Sequence, residues 1–142
     1  MDHNRCKALV LHCMDYRFQS EFRRFLSEDL DLDGRCDALT VGGSCISLAR
    51  PSDAPGKEYI LHQIGLSASL HGIREVILIN HQDCGAYLPF EDAMSERVQH
   101  ETDLQKARQV IQSVHPDLEV RLFFATFTEK GNERTIAVEP IP

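Results

Sequence analysis

The stretch Glu75-Val-Ile-Leu-Ile-Asn80-His81-Gln-Asp-Cys84-Gly85 decides the fold. Val76 to Ile79 are continuously apolar, the pattern of a strand buried on both faces, which is how strands of a parallel sheet read. The strand stops in a cluster of His, Asp, Cys and Gly. Before it, Ile60, Ile64, Ser67/Ala68 and His71 share one side of a helix predicted from about Glu58 to His71, with Gly72 as its stop. After it, Leu104, Ala107, Ile111 and Val114 form a helical stripe that ends before Pro116.

The same alternation extends in both directions. Lys7 to Cys13 reads as a first buried strand, and Phe18, Phe22, Phe25, Leu26 and Leu30 fall on one helical face. Asp37 to Val41 is a second strand stopped by Gly42-Gly43, and Arg50 to Gly56 reads as a turn-rich loop. Glu119 to Thr126 is predicted as a fourth strand. Thr135 to Glu139, after the Gly131-Asn132 turn, is a short edge strand of antiparallel sense. The expected fold is therefore a single α/β domain over residues 1–142, three layers deep, with a mostly parallel sheet of four to five strands in the order 2-1-3-4 plus the edge strand.

Composition removes other classes. The chain has 142 residues, 42% of them hydrophobic, enough to bury one core without disulfide staples. Its net charge of −7 repels phosphate backbones and anionic membranes, so neither nucleic acid nor a membrane is expected as partner. The five cysteines are odd in number and scattered, the N-terminus is polar, and no apolar run approaches the roughly 20 residues of a membrane span. These features predict a cytoplasmic protein with reduced thiols, some of them packed as small hydrophobes and some ligating metal.

Two segments carry chemistry: Cys13-Met-Asp15-Tyr-Arg17 and His81-Gln-Asp-Cys84-Gly85. Each begins where an apolar strand stops, at the carboxyl edge of the sheet where open α/β folds bind ligands. If the first and third strands are neighbours, the segments meet. Two thiolates and an imidazole (Cys13, His81 and Cys84) with a fourth position for water are a known catalytic zinc arrangement. Zinc-bound water loses a proton near pH ~7 and so becomes a hydroxide nucleophile. Arg17 can clamp Asp15 through two parallel hydrogen bonds and keep it ionised. Asp15 then either orients the nucleophile or fills the fourth zinc position and closes the site.

These paired motifs resemble those of the β-class carbonic anhydrases. The likeness continues through Leu70 to His81, which has the family's helix, Gly, strand and ligand order, and through Asp37 to Ser44, similar to its strand and Gly-rich loop. The resemblance implies one Zn²⁺ per chain held by Cys13, His81 and Cys84, with Asp15 and Arg17 serving the metal-bound water. It implies reversible hydration of carbon dioxide to bicarbonate, a substrate cradle at Gly42, Gly43 and Ser44, and a homodimer or higher homo-oligomer. Family members usually carry N-terminal helices that wrap a partner subunit. Here the first strand begins six residues after Met1, so that arm is expected to be missing and the pocket to be completed differently. Two other readings stay open: a non-catalytic zinc domain closed by Asp15, and a hydrolase of carbonyl sulfide or carbon disulfide, linear electrophiles like carbon dioxide.

The remaining candidates read as structural. Cys45 is expected to pack as a small hydrophobe, Cys6 and Cys36 show no ligand spacing, and His12 should point to the face opposite Cys13. His62, His71, His100 and His115 lie on helices or their ends; any of them could relay protons, and none is singled out. Asp29 to Gly34 opens like an EF-hand but has Thr40 at the twelfth position, and His100-Glu101 lacks the second zincin histidine because Leu104 stands there. The three residues between Cys13 and Arg17 are too few for a thiol phosphatase loop.

Overall fold

A computed structural model describes residues 4–50, 54–87 and 89–142. Five strands form one sheet in the order β2-β1-β3-β4-β5. Strand β1 (Ala8–His12) lies parallel to and between β2 (Cys36–Thr40) and β3 (Glu75–His81), with Ala8 level with both Cys36 and Glu75. β3 is parallel to β4 (Glu119–Lys130), which turns back antiparallel into β5 (Glu133–Ile141). The predicted order, the parallel core and the antiparallel edge are all present.

Side-chain alternation along the strands divides the core in two. Leu9, Leu11, Val76, Leu78, Leu122 and Phe124 face one side, against Ile60 and Ile64 of helix α3 (Ala54–His71) and Leu104, Ala107 and Ile111 of helix α4 (Ala93–Val114). Ala8, Val10, Ile77, Ile79 and Phe123 face the other, against Phe18, Phe22, Phe25 and Leu32. Those aromatics belong to a helical segment of three parts. A 3-10 turn (Tyr16–Phe18) leads into helix α1 (Gln19–Arg24), which widens into a π turn (Phe25–Asp29) where Leu30 N–H reaches the Phe25 carbonyl. A further helix, α2 (Ile46–Ala49), is too short to leave a periodic signal in the sequence.

The structure corrects several boundaries. α3 starts at Ala54, so Ala54, Pro55 and Gly56, read as loop, are its first turn, where proline has no hydrogen bond to lose. Residues 51–53 of that expected loop lie outside the described residues. Val114 is exposed rather than part of the buried stripe. β4 and β5 run on to Lys130 and from Glu133, because once paired as a hairpin their polar tips satisfy each other's backbone groups. As expected, Gly72 ends α3 with φ +62°, a conformation that favours glycine. His12 is buried against Phe22, and Cys45 is fully buried in the core. No helix among the described residues is long and apolar enough to cross a membrane.

Beneath the carboxyl end of β3 lies a buried polar cluster. Asn80 Nδ2 lies 3.1 Å from the Tyr87 hydroxyl and 3.0 Å from His100 Nδ1, and the Tyr87 hydroxyl donates to Asp103, which Arg50 pairs. Burial pushes His100 down to about 4, with the facing His81 and Arg50 adding to the fall and Asp103 opposing it. An unfolded histidine titrates near ~6.5. Between those values the unfolded chain binds a proton that native His100 refuses, so its contribution is complete above pH ~6.5 and declines as pH falls toward 4. By pH 5 the loss is about 2 kcal/mol from His100. Urea unfolding at pH 7 and pH 5 should therefore show a smaller stability loss for His100→Gln than for the wild type, and equal losses would refute the assignment.

Candidate metal centre

The carboxyl ends of β1 and β3 are adjacent, and each continues into a segment singled out in the sequence. Cys13 directly follows β1, His81 is the last residue of β3, and Cys84 lies three residues on; all three are buried. Their ligand atoms, two sulfurs and an imidazole nitrogen, all lie within 4.8 Å of one another. Cys13 Sγ and Cys84 Sγ are 3.9 Å apart. A tetrahedral ion with zinc–sulfur bonds of ~2.3 Å holds two sulfurs about 3.8 Å apart.

A second observation tests the fit. His81 Nδ1 lies 2.7 Å from the Gln82 carbonyl, so that nitrogen carries the proton, whereas its Nε2 is buried with no hydrogen-bond partner. A buried polar atom without a partner is costly in a native fold, and a metal ion at Nε2 satisfies it. Hydrogen bonding also distinguishes the sulfurs. Cys13 is held well below the ordinary thiol range because its sulfur accepts from Cys84, with the Gly43 N–H adding to the effect against burial. Cys84 is pushed up as the donor of that pair. One proton fewer on the pair is favoured, and a cation bound there would take the place of the remaining one.

Asp15 and Arg17 are placed by a local turn. The Asp15 carboxylate caps the 3-10 turn by accepting from Arg17 N–H at 3.0 Å, and the Arg17 side chain curls back so that Nε and Nη2 donate to Asp15 Oδ1 and Oδ2 at 3.0 and 2.7 Å. Arg17 thereby holds Asp15 below the usual carboxylate range, against the burial that would raise it. Asp15 Oδ2 lies 3.9 Å from His81 Nε2. The far edge of the guanidinium bonds to the Asp83 carboxylate and carbonyl, both at 2.9 Å, strapping the β1 and β3 loops together.

Gly43 closes the third side. Its φ of +82° favours glycine, a Cβ there would meet Ile46 and Ala86 side chains at 2.6 and 2.9 Å, and its N–H reaches Cys13 Sγ at 3.4 Å. Gly42 and Gly43 line an open cavity of about 770 Å³ whose walls include Cys13, Asp15, Arg17 and Cys84. Ser44, expected with them, is not in that wall. Its backbone is left-handed, φ +52°, its side chain is buried, and its hydroxyl donates to the Leu11 carbonyl at 3.5 Å.

Three supporting residues escaped the sequence reading. Gln19 Nε2 donates to the Cys13 and Asp15 carbonyls at 3.0 and 2.7 Å. Asp83 receives Arg17, and buried Glu96 accepts the Asp83 N–H at 2.7 Å, pinning the turn between the ligands. Asp83 could have been found from its place between His81 and Cys84. Glu96 and Gln19 act across elements and leave no local pattern.

Comparison with known proteins gives the fold and the family. An uncharacterized protein of Rickettsia bellii is 29% identical over 126 residues, spanning 84% of this chain and 76% of its own, and one of Rickettsia conorii is 26% identical over 126 residues, spanning 84% and 67%. A carbonic anhydrase from Glaciozyma antarctica superposes with a TM-score of 0.57 at 20% identity, covering 88% of this chain and 79% of that one. The carbonic anhydrase of Streptococcus mutans gives 0.57 at 15% identity, covering 100% and 87%. These two likenesses concern the fold. The model of the family described as "putative carbonic anhydrase" matches residues 3–135, almost the whole chain, and the chain belongs to that family.

Proposed function

We propose that this chain is a zinc-dependent carbonic anhydrase that interconverts carbon dioxide and bicarbonate. The observation that carries the reading is the orphaned His81 Nε2 facing two cysteine sulfurs beneath an open pocket, with an ionised Asp15 3.9 Å away. Cys13, His81 and Cys84 hold the ion. When bound, zinc supplies the Lewis acidity that lets water act as a nucleophile near neutral pH.

The chain's own groups do the rest. Asp15 accepts a hydrogen bond from the attacking water and turns its lone pair toward the pocket. Arg17 fixes that carboxylate in one orientation and keeps it ionised. Both Asp15 oxygens are engaged by Arg17, which favours the orienting role over closure of the metal site by Asp15. The Gly43 N–H tempers the charge on Cys13. Met14 and Ala86, also in the pocket wall, offer apolar surface to a linear apolar substrate. Stopped-flow carbon dioxide hydration by zinc-loaded protein between pH 6.5 and 9 tests the reading. Full zinc occupancy without hydration at any pH would leave a non-catalytic zinc domain.

The proposed working form is a homodimer. Tyr16 is 86% exposed and Met14 66%, both at the pocket rim, and a second copy covering that rim buries them. Sedimentation velocity should give twice the chain mass, with Tyr16→Asp shifted toward monomer. A wild-type monomer at all concentrations would exclude the dimer.

A further inference from the structure

A second cluster of ligating side chains lies at the opposite, amino end of the sheet. Cys6 precedes β1, Asp37 is the second residue of β2, and His71 is the last residue of α3. Their sulfur, carboxylate and imidazole atoms all lie within 4.8 Å of one another. The Asp37 carboxylate is the hub. Its Oδ2 accepts from Ser67 Oγ at 2.5 Å and lies 2.7 Å from His71 Nδ1, while the Cys6 thiol donates to the Ala8 carbonyl at 3.6 Å and keeps its sulfur within reach of the same carboxylate. The backbone holds the set together, since Cys6 N–H donates to the His71 carbonyl at 3.0 Å and β1 pairs with β2.

We propose that Cys6, Asp37 and His71 form a second metal site that takes a zinc-class divalent ion. One thiolate, one imidazole and one carboxylate are a borderline donor set that suits Zn²⁺ or Co²⁺ better than Mg²⁺ or Ca²⁺, which prefer all-oxygen cages. The ion displaces the Cys6 thiol proton to solvent, and the proton between His71 Nδ1 and Asp37 moves to His71 Nε2, so that a thiolate, a carboxylate and a neutral imidazole receive it. Ser67 acts as a positioning residue: one helical turn before His71, its hydroxyl aims Asp37. A cavity of about 220 Å³, walled by Asn4, Arg5, Gly34 and the three ligands among others, opens onto the cluster and provides a route in. Cys36 also lines that cavity, but it packs with the aromatic core and its sulfur is not among the grouped ligand atoms, so it is left out of the site. This site is independent of the Cys13 centre, at the other end of the same strands.

The test is zinc content by elemental analysis after metal-free protein is dialysed against zinc and then buffer. Wild type should hold one zinc per chain more than Cys6→Ser, and Cys36→Ser should match the wild type. Ser67→Ala should weaken that zinc about 10- to 100-fold with unchanged circular dichroism. Cobalt loading should add thiolate charge-transfer absorption that Cys6→Ser reduces. If Cys6→Ser does not fold, His71→Gln replaces it. Equal zinc and equal cobalt spectra in wild type and variant overturn the proposal and leave a hydrogen-bonded tie between β2 and α3. Because the readout is a difference between proteins that both keep Cys13, His81 and Cys84, it holds whatever those residues bind.

Discussion

Cys84→Ser should abolish tight zinc binding at the Cys13 centre and remove most of the chelator sensitivity of the fold. Cys13, His81 and Cys84 come from two strand ends, and no such pocket exists in the unfolded chain, so binding energy is also folding energy. Zinc at ~1,000 times its Kd stabilises the native state by about 4 kcal/mol. In a domain of this size that raises the Tm by on the order of 10 °C. Wild-type protein should therefore melt at least several degrees lower after chelation, and Cys84→Ser should melt near the lower temperature, with only the smaller chelator shift that the Cys6 site leaves. His81→Ala should behave alike, with the added penalty of a buried cavity beside Phe18, whose ring lies 4.3 Å from the imidazole. Identical melting of zinc-loaded and chelated wild type would show that the three side chains do not form a tight site.

Asp15→Ala should lower the rate of carbon dioxide hydration by about 10²- to 10³-fold while leaving the Cys13-centre zinc in place, because positioned acceptors contribute on that scale. The separation of the two effects is the diagnostic. The Asp15 carboxylate lies 3.9 Å from His81 Nε2 and is held by Arg17, so its loss should cost rate rather than metal. Arg17→Ala should also slow the reaction, and in addition loosen the strap to Asp83, so its melting temperature should fall where that of Asp15→Asn does not. If Asp15→Ala loses that zinc together with activity, Asp15 is a metal ligand and the closed arrangement replaces the orienting one.

Much of the site was legible because it sits on regular elements. Cys13 and His81 each end a continuously apolar strand, and parallel strands stop at the same sheet edge whatever their separation in sequence. The Asp15-x-Arg17 spacing was enough to suggest the clamp, since a tight turn brings those side chains together locally. The direction of the Ser44 side chain was not legible, because turn glycines do not reveal which way the following side chain points. Its left-handed backbone turns the hydroxyl under the loop toward Leu11.

The second cluster shows the opposite case. Cys6 was set aside for want of a ligand spacing and His71 was not singled out, yet they meet on Asp37 because the start of one strand, the start of its neighbour and the end of a helix share the amino edge of the sheet. Local patterning determined the strands, the helices, their order and the two motifs, since hydrophobic period and turn chemistry act within a few residues. Tertiary structure alone decided which distant groups share a proton or could share an ion: Arg17 with Asp83, Glu96 with the ligand loop, and Cys6 with Asp37 and His71. Such contacts are set by how elements pack, and packing leaves no mark at any single position of the chain.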